Sequence, residues 1–117
     1  MNSTHRNEVH LAGTLVRDPE LRYTPDGKSV ASFTVATTYE KWTEYHRCVA
    51  WEKQAGRLGE HFKKDSFIEL KGRLRTRKWE KDGQKRYTTE VVIWSLSDGT
   101  IAKNAHGVEV SDADLPF

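Results

Sequence analysis

The chain has 117 residues, which is enough for one compact domain but not for two of ordinary size. Charged residues make up 31% of it and hydrophobic residues 36%, yet four Trp, four Tyr and four Phe argue against a disordered chain. The apolar runs are too short to span a bilayer, and the first six residues lack the apolar region of a secretory signal. The single cysteine, Cys48, cannot form an internal disulfide and is consistent with a reducing cytosol.

The formal net charge of +2 conceals an uneven distribution of charge along the chain. Residues 1–97 hold 18 basic and 13 acidic residues, whereas residues 98–117 hold one basic and four acidic residues. The sequence therefore predicts a basic domain over residues 1–97 and a flexible acidic tail over residues 98–117. The tail ends on the apolar tip Leu115, Pro116 and Phe117, which favours a binding role for the tip over a chance terminus.

Alternation of apolar and polar residues predicts strands along the first half of the basic domain. Residues 9–15 alternate in this way and form the first predicted strand. A turn containing Pro25 and Gly27 then leads into a second strand over residues 30–38, rich in Val, Thr and Phe. Alternation returns over residues 45–51, which form the third strand.

The second half of the domain begins with a change of period. Over residues 53–62 the apolar residues share one helical face, which predicts a short helix. A long fourth strand follows from residue 68, the segment 81–84 is a hairpin signal, and residues 87–93 complete a fifth strand. Five strands with one helix between the third and fourth predict an all-β OB-fold Greek-key barrel with extended hairpins. An open sheet with a covering helix is the alternative.

The fourth strand carries a row of cations. If Ile68, Leu70 and Leu74 face inward, alternation places five residues outward: Lys71, Arg73, Arg75, Arg77 and Trp79. Cations in such a row repel one another unless an anion of matching length lies along them, and a phosphate backbone is such an anion. The alternative is a solvated face on which the cations pair across the sheet with acids such as Glu90.

Aromatic residues accompany these cations. They lie in or beside the cation-bearing parts of strands and loops, at Tyr39, Trp42, Tyr45, Trp51 and Trp79. Aromatic faces interleaved with cations suit single-stranded nucleic acid, because bases stack on the rings while phosphates meet Lys and Arg. Trp79 is the strongest stacking candidate, whereas Trp51 stays open between a core position and a stacking platform.

Catalytic signatures are missing from the sequence. The five His show no metal-ligand spacing, and Cys48 has no second cysteine with which to share a zinc site. The sequence contains neither a glycine-rich phosphate loop nor a nucleophile elbow. We therefore expect no enzyme activity, no metal and no cofactor.

Several segments together resemble the bacterial single-stranded DNA-binding protein family. Residues 7–15 (NEVHLAGTL) and 18–37 (DPELRYTPDGKSVASFTVAT) are similar to its first strand and second-strand region. Residues 43–49 (TEYHRCV), 72–79 (GRLRTRKW) and 86–92 (RYTTEVV) resemble its third strand and long hairpin. The last six residues, DADLPF, resemble the acidic tip with which family members recruit other proteins.

The resemblance implies roles for individual positions. Trp51 and Trp79 match base-stacking aromatics, and Tyr45 stands where a Trp is usual. The cations that match contacts to the DNA backbone are Arg75, Arg77, Lys78, Arg22, Lys53 and Lys64. His46 matches a histidine at the subunit interface of a homotetramer. The tip residues implied to bind replication and repair proteins are Asp112, Asp114, Leu115, Pro116 and Phe117.

Three departures from the family pattern concern its loop, linker and tip. The connection over residues 37–46 is short, which leaves the stacking residue there open between Tyr39 and Trp42. The linker over residues 98–111 is also short, and Ala113 replaces one acid of the tip.

The sequence as a whole predicts a non-enzymatic protein that binds single-stranded DNA without sequence preference. The resemblance implies that it protects this DNA during replication, recombination and repair in the bacterial cytoplasm, associated with the nucleoid. A primosomal adaptor related to this family and a structural protein-interaction module are the alternatives.

Overall fold

The computed structural model describes residues 4–98, which form a barrel of strands and one helix. The elements in chain order are β1 (Val9–Leu15), β2 (Glu20–Tyr23), β3 (Ser29–Tyr39), β4 (Trp42–Trp51), α1 (Glu52–His61), β5 (Phe67–Lys81) and β6 (Gln84–Ser97). Within residues 4–98, α1 is too short and too polar to cross a membrane. The predicted tail and its tip lie outside the described residues, apart from Asp98.

The six strands form one sheet in the order β1-β5-β6-β4-β3-β2, and β1 also pairs with β3. That additional pairing closes β1, β3, β4, β5 and β6 into a barrel, while β2 lies outside it along β3. β4 and β6 run parallel and the other pairs run antiparallel. This topology confirms the predicted OB-fold over the open sheet.

β2 is a strand that the sequence did not predict. All of its residues are exposed, so apolar alternation, the signal on which strand prediction depends, is missing there. The strand forms because the turn at Gly27, with φ of +86°, folds it back along β3. The consequence for the site is that Arg22 lies opposite Val30 on the sheet.

The interior of the barrel is apolar. Leu15, Val35 and Ile68 are fully buried, and α1 covers the barrel with Ala55 and Leu58, as predicted from their helical spacing. Burial of these side chains is the main favourable contribution to folding, at about 1.5–3 kcal/mol for each large apolar side chain.

Two hairpins extend the sheet. The connection between the predicted second and third strands is mostly paired strand, since β3 and β4 continue to Tyr39 opposite Trp42 and turn through Glu40 and Lys41. The second hairpin joins β5 to β6 through Asp82 and Gly83, with φ of 53° and 80°. Two consecutive residues with positive φ are typical of a tight hairpin turn, which confirms this predicted signal.

Leu74 does not face the core as the alternation predicted. Leu74 is 46% exposed, because at this point the β5–β6 hairpin extends beyond the barrel. Asn7 covers its backbone instead: the Leu74 N–H donates to Asn7 Oδ1, and Asn7 Nδ2 donates to the Leu74 carbonyl, both at 2.8 Å.

Candidate nucleic-acid interface

The strand register places the predicted aromatic and basic residues of β4 on one outer face. Tyr45, Arg47, Val49 and Trp51 alternate with residues that face the core, such as Cys48. Because paired residues of neighbouring strands share a face, the β3 partners of these four residues lie on the same side. The predicted shared face of β4 is therefore present.

The basic row of β5 belongs to this same outer face. Val49 of β4 pairs with Val92 of β6, and Glu90 lies two residues before Val92, on the same side. Glu90 in turn pairs with Arg75 across the β5–β6 hairpin, which brings Arg75 and every second residue of β5 onto this side. We call this continuous surface, from Arg22 on β2 to Trp79 on β5, the outer face.

Two adjoining grooves lie on the outer face, with volumes of about 400 Å³ and 330 Å³. Both are lined by Arg22, Ser32, Val49, Arg77 and Glu90. Trp51, Tyr23 and Arg75 belong to the first groove, and Arg17 and Arg47 belong to the second. A groove with arginines around an aromatic ring can hold a phosphodiester chain and a stacked base together.

The two predicted stacking tryptophans differ in how they are held. Trp51 is half-buried and lines the first groove, so the open question between core and platform is answered by a position at the groove wall. Trp79 is 40% exposed, and its Nε1 donates a hydrogen bond of 2.8 Å to Thr88 Oγ1. Both rings are thus partly immobilised before any ligand binds.

Glu90 is the acid that lines both grooves, whereas Asp18 and Glu20 line only the second. Its carboxylate is buried, and its Oε1 accepts hydrogen bonds from Arg75 Nη2 and Arg77 Nε, both at 3.0 Å. The alternative of cation pairing across the sheet therefore holds for Arg75 and Arg77. For Arg73, which is exposed, the structure gives no acidic partner within residues 4–98.

Other predicted residues lie away from the grooves. Tyr39 and Trp42 are exposed opposite each other, and alternation places them on the other side of the hairpin from Tyr45. Lys78 likewise alternates with Arg77 and points away from the row. Four further predicted cations are exposed but line neither groove: Lys71, Arg73, Lys53 and Lys64.

The groove residues that were missing from the predicted site include two arginines and one tyrosine: Arg17, Arg47 and Tyr23. Tyr23 is exposed on β2, the strand without a periodic signal, so its position depends on pairing with β3. Arg47 could have been included, because the sequence places it on one strand face between Tyr45 and Trp51. Arg22, which was predicted, donates through Nη2 to Ser32 Oγ at 3.4 Å.

His46 and the acidic tip are the residues predicted to contact other protein chains. His46 is half-buried beside Thr37, with 2.9 Å between its Nε2 and Thr37 Oγ1. Its role at a subunit interface stays a prediction. Among residues 4–98, no three His, Cys, Asp or Glu side chains cluster as a metal site would require.

Cys48 lies directly behind the grooves, fully buried in the core. Burial, with a further contribution from the negative charge of Glu90, raises the pKa of its thiol from 9.0 to about 12. The folded state therefore holds this proton more tightly than the unfolded state. The associated stability is fully present below the ordinary pKa and is lost as the pH rises above it.

We expect Cys48 to be unreactive in the folded protein. At about pH 8 the thiolate fraction for a pKa of about 12 is about 10⁻⁴, and the side chain is inaccessible. A disulfide reagent should therefore react with the native protein far more slowly than with protein unfolded in urea. Equal rates in the two states would contradict the burial of this thiol.

Comparison with known protein families gives a match that spans most of the chain. The sequence model of the single-strand binding protein family matches residues 6–97. The matched range contains all the strands, the helix and both grooves.

Proposed function

The chain belongs to the single-strand binding protein family, a non-enzymatic family that binds single-stranded DNA, and we propose that its outer face is the DNA-binding surface. In this proposal bases stack on Tyr45, Trp51 and Trp79. The phosphates meet Arg22, Arg73, Arg75 and Arg77, with Lys53, Lys64 and Lys71 at the margins. Binding is independent of sequence, because every base has a face that can stack.

One observation carries this proposal: the register joins the aromatic residues of β4 to the basic row of β5 on a single face. Single strands suit such a surface, because their bases are free to leave the backbone and stack. Proteins that read duplex DNA more often insert a helix into the major groove. Here α1 packs its apolar side on the barrel, beside β3, β4 and β6.

The test is a titration of intrinsic Trp fluorescence with oligo-dT and with a DNA hairpin of the same length, each at several salt concentrations. We expect oligo-dT to quench the fluorescence and to bind more tightly than the hairpin. The affinity should fall as salt rises, because bound phosphates release counterions. Equal affinity for hairpin and oligo-dT would instead favour a structural module whose basic row binds any acidic surface.

We further propose that the protein protects single-stranded DNA in replication, recombination and repair, and recruits partners through its acidic tip. The tip carries Asp112 and Asp114 beside three apolar residues, a combination suited to a basic pocket with an apolar floor. Supporting this role, residues 98–117 hold four acidic residues and one basic residue, whereas the rest of the chain is net basic. The proposal places the protein in the bacterial cytoplasm, associated with the nucleoid.

Deleting residues 115–117 should abolish capture of replication and repair proteins from an extract of the source cells. DNA affinity should stay unchanged or rise slightly, because the acidic tail can compete for the basic face. Ile101→Ala is the matched control, since it removes an apolar side chain from the tail outside the tip. Loss of DNA binding on deletion, or equal loss of capture in both variants, would contradict the role of the tip.

We also propose a homotetramer with His46 at the interface. An exposed aromatic side chain supports self-association: Trp94 on β6 is 47% exposed and lines neither groove. Light scattering should give the mass of four chains, and His46→Ala should lower it. A monomeric mass at micromolar concentration would contradict this assembly.

A further inference from the structure

Glu90 is an unusual residue for a surface that binds a polyanion. It is only 4% exposed, and it lines both grooves of the outer face. Burying a carboxylate is unfavourable unless charged or hydrogen-bonding partners surround it. Its partners here are Arg75 and Arg77, two cations of the row that faces the DNA.

We propose, on the basis of the proposed function, that Glu90 is an internal counter-ion that limits how strongly the groove binds DNA. Its carboxylate compensates one of the two charges on Arg75 and Arg77 before DNA arrives. A phosphate entering the groove then meets one net positive charge at this pair instead of two. Glu90 thereby weakens binding and its dependence on salt, which favours release of the strand.

The geometry leaves the two arginines available to a phosphate while they are paired. Each guanidinium has five N–H donors, and each uses one nitrogen to contact Glu90 Oε1. Arg75 Nε is buried and has no acceptor within the described part of the chain. Glu90 therefore compensates charge without occupying all the donors.

Arg22 supplies the internal comparison, because it lines the same two grooves without an acidic partner among residues 4–98. Its hydrogen bond is to the neutral hydroxyl of Ser32, at 3.4 Å. When Arg22 binds a phosphate, its positive charge takes the place of cations condensed on the DNA, and these cations are released. For single strands each such contact contributes about 0.7 to the slope of log affinity against log salt.

Glu90→Gln tests the proposal, because glutamine keeps the volume and an oxygen acceptor but removes the charge. We expect the salt slope for oligo-dT to steepen by about 0.7. Between about 50 and 200 mM salt, the variant should lose about 2.6-fold more affinity than the unaltered protein. Extrapolated to 1 M, the two affinities should be equal, so that at about 0.2 M the variant binds about threefold more tightly.

Two arginine variants complete the design. Arg22→Gln and Arg77→Gln should each reduce the slope by about 0.7, because each removes one net positive charge from the groove. In the Glu90→Gln background, Arg77→Gln should return the slope to that of the unaltered protein, because the pair then again carries one net positive charge. Thermal melting of each variant reports whether the domain is folded.

If Arg22→Gln reduces the salt slope but Glu90→Gln leaves it unchanged, the counter-ion role is overturned. The assignment of the groove as the DNA-binding site then still stands. A slope that no arginine variant changes would instead overturn the groove assignment itself. If Glu90→Gln alone does not fold, the double variant Glu90→Gln/Arg77→Gln decides: the slope of the unaltered protein supports the proposal, and a slope as low as that of Arg77→Gln alone overturns it.

Discussion

Trp51→Ala should weaken oligo-dT binding by about 1–3 kcal/mol, or about 5- to 150-fold. This magnitude is the one typical of base stacking in OB-fold single-strand binding proteins, the family to which the chain belongs. The loss should be large because the ring of Trp51 already lines the groove, half-buried where β4 meets α1. A ring that is held before binding loses little conformational entropy when a base stacks on it.

Two variants control for ring chemistry and for position. Trp51→Phe keeps an aromatic face and should retain most of the affinity. Trp42→Ala removes an exposed ring from the other side of the β3–β4 hairpin and should cost less than Trp51→Ala. Fluorescence or anisotropy titrations at one salt concentration measure all three. A larger loss of affinity for Trp42→Ala than for Trp51→Ala would indicate that bases stack at the tip of the β3–β4 hairpin instead.

Gly72→Ala should lower the free energy of unfolding by about 1–3 kcal/mol, as overpacking typically does. An added methyl group would meet the backbone oxygen of Val92 and the Cα of Ile93. Backbone atoms, unlike a flexible side chain, cannot rotate away from this contact. Gly72 also lies where the β5–β6 register shifts, so relief of the clash would move the strand that carries the basic row.

Gly56→Ala is the matched control for this substitution. Gly56 lies inside α1, and nothing lies within 4 Å of an added methyl group there. Alanine is favoured over glycine in a helix by about 0.8–1.0 kcal/mol, so this variant should be more stable. Urea denaturation at constant m-value measures both changes. An unchanged free energy of unfolding for Gly72→Ala would show that β5 and β6 can move apart at this position without loss of stability.

Much of the fold could be predicted because its signals are local. Alternation indicated all five barrel strands, although β4 and β6 extend three or four residues beyond the predicted bounds, and the spacing of Ala55, Leu58 and Phe62 indicated α1. β2 was missed because a short, fully exposed strand has no alternating pattern and forms only by pairing with β3. Leu74 was placed wrongly because alternation does not tell where a hairpin leaves the barrel.

The residues of the candidate site could likewise be predicted only where the signal is local. Alternation was enough to place Arg73, Arg75 and Arg77 together on one side of β5. It could not decide whether Glu90 pairs with two of these cations, because that contact depends on the register of a hairpin and joins residues 13–15 positions apart. Nor could it show that Tyr39 and Trp42 face away from Tyr45, since the strands were expected to end before them.

Composition and local pattern alone therefore indicate five strands and one helix in a basic segment that precedes an acidic one, with rows of cations and aromatic rings on the strands. Which residues share a groove, and which of its charges are free, depends on strand register and barrel closure. These are contacts between residues far apart in the chain, and no local period specifies them. Arg22 and Arg77 look alike in the sequence, and only the fold gives Arg77 a buried carboxylate as its neighbour.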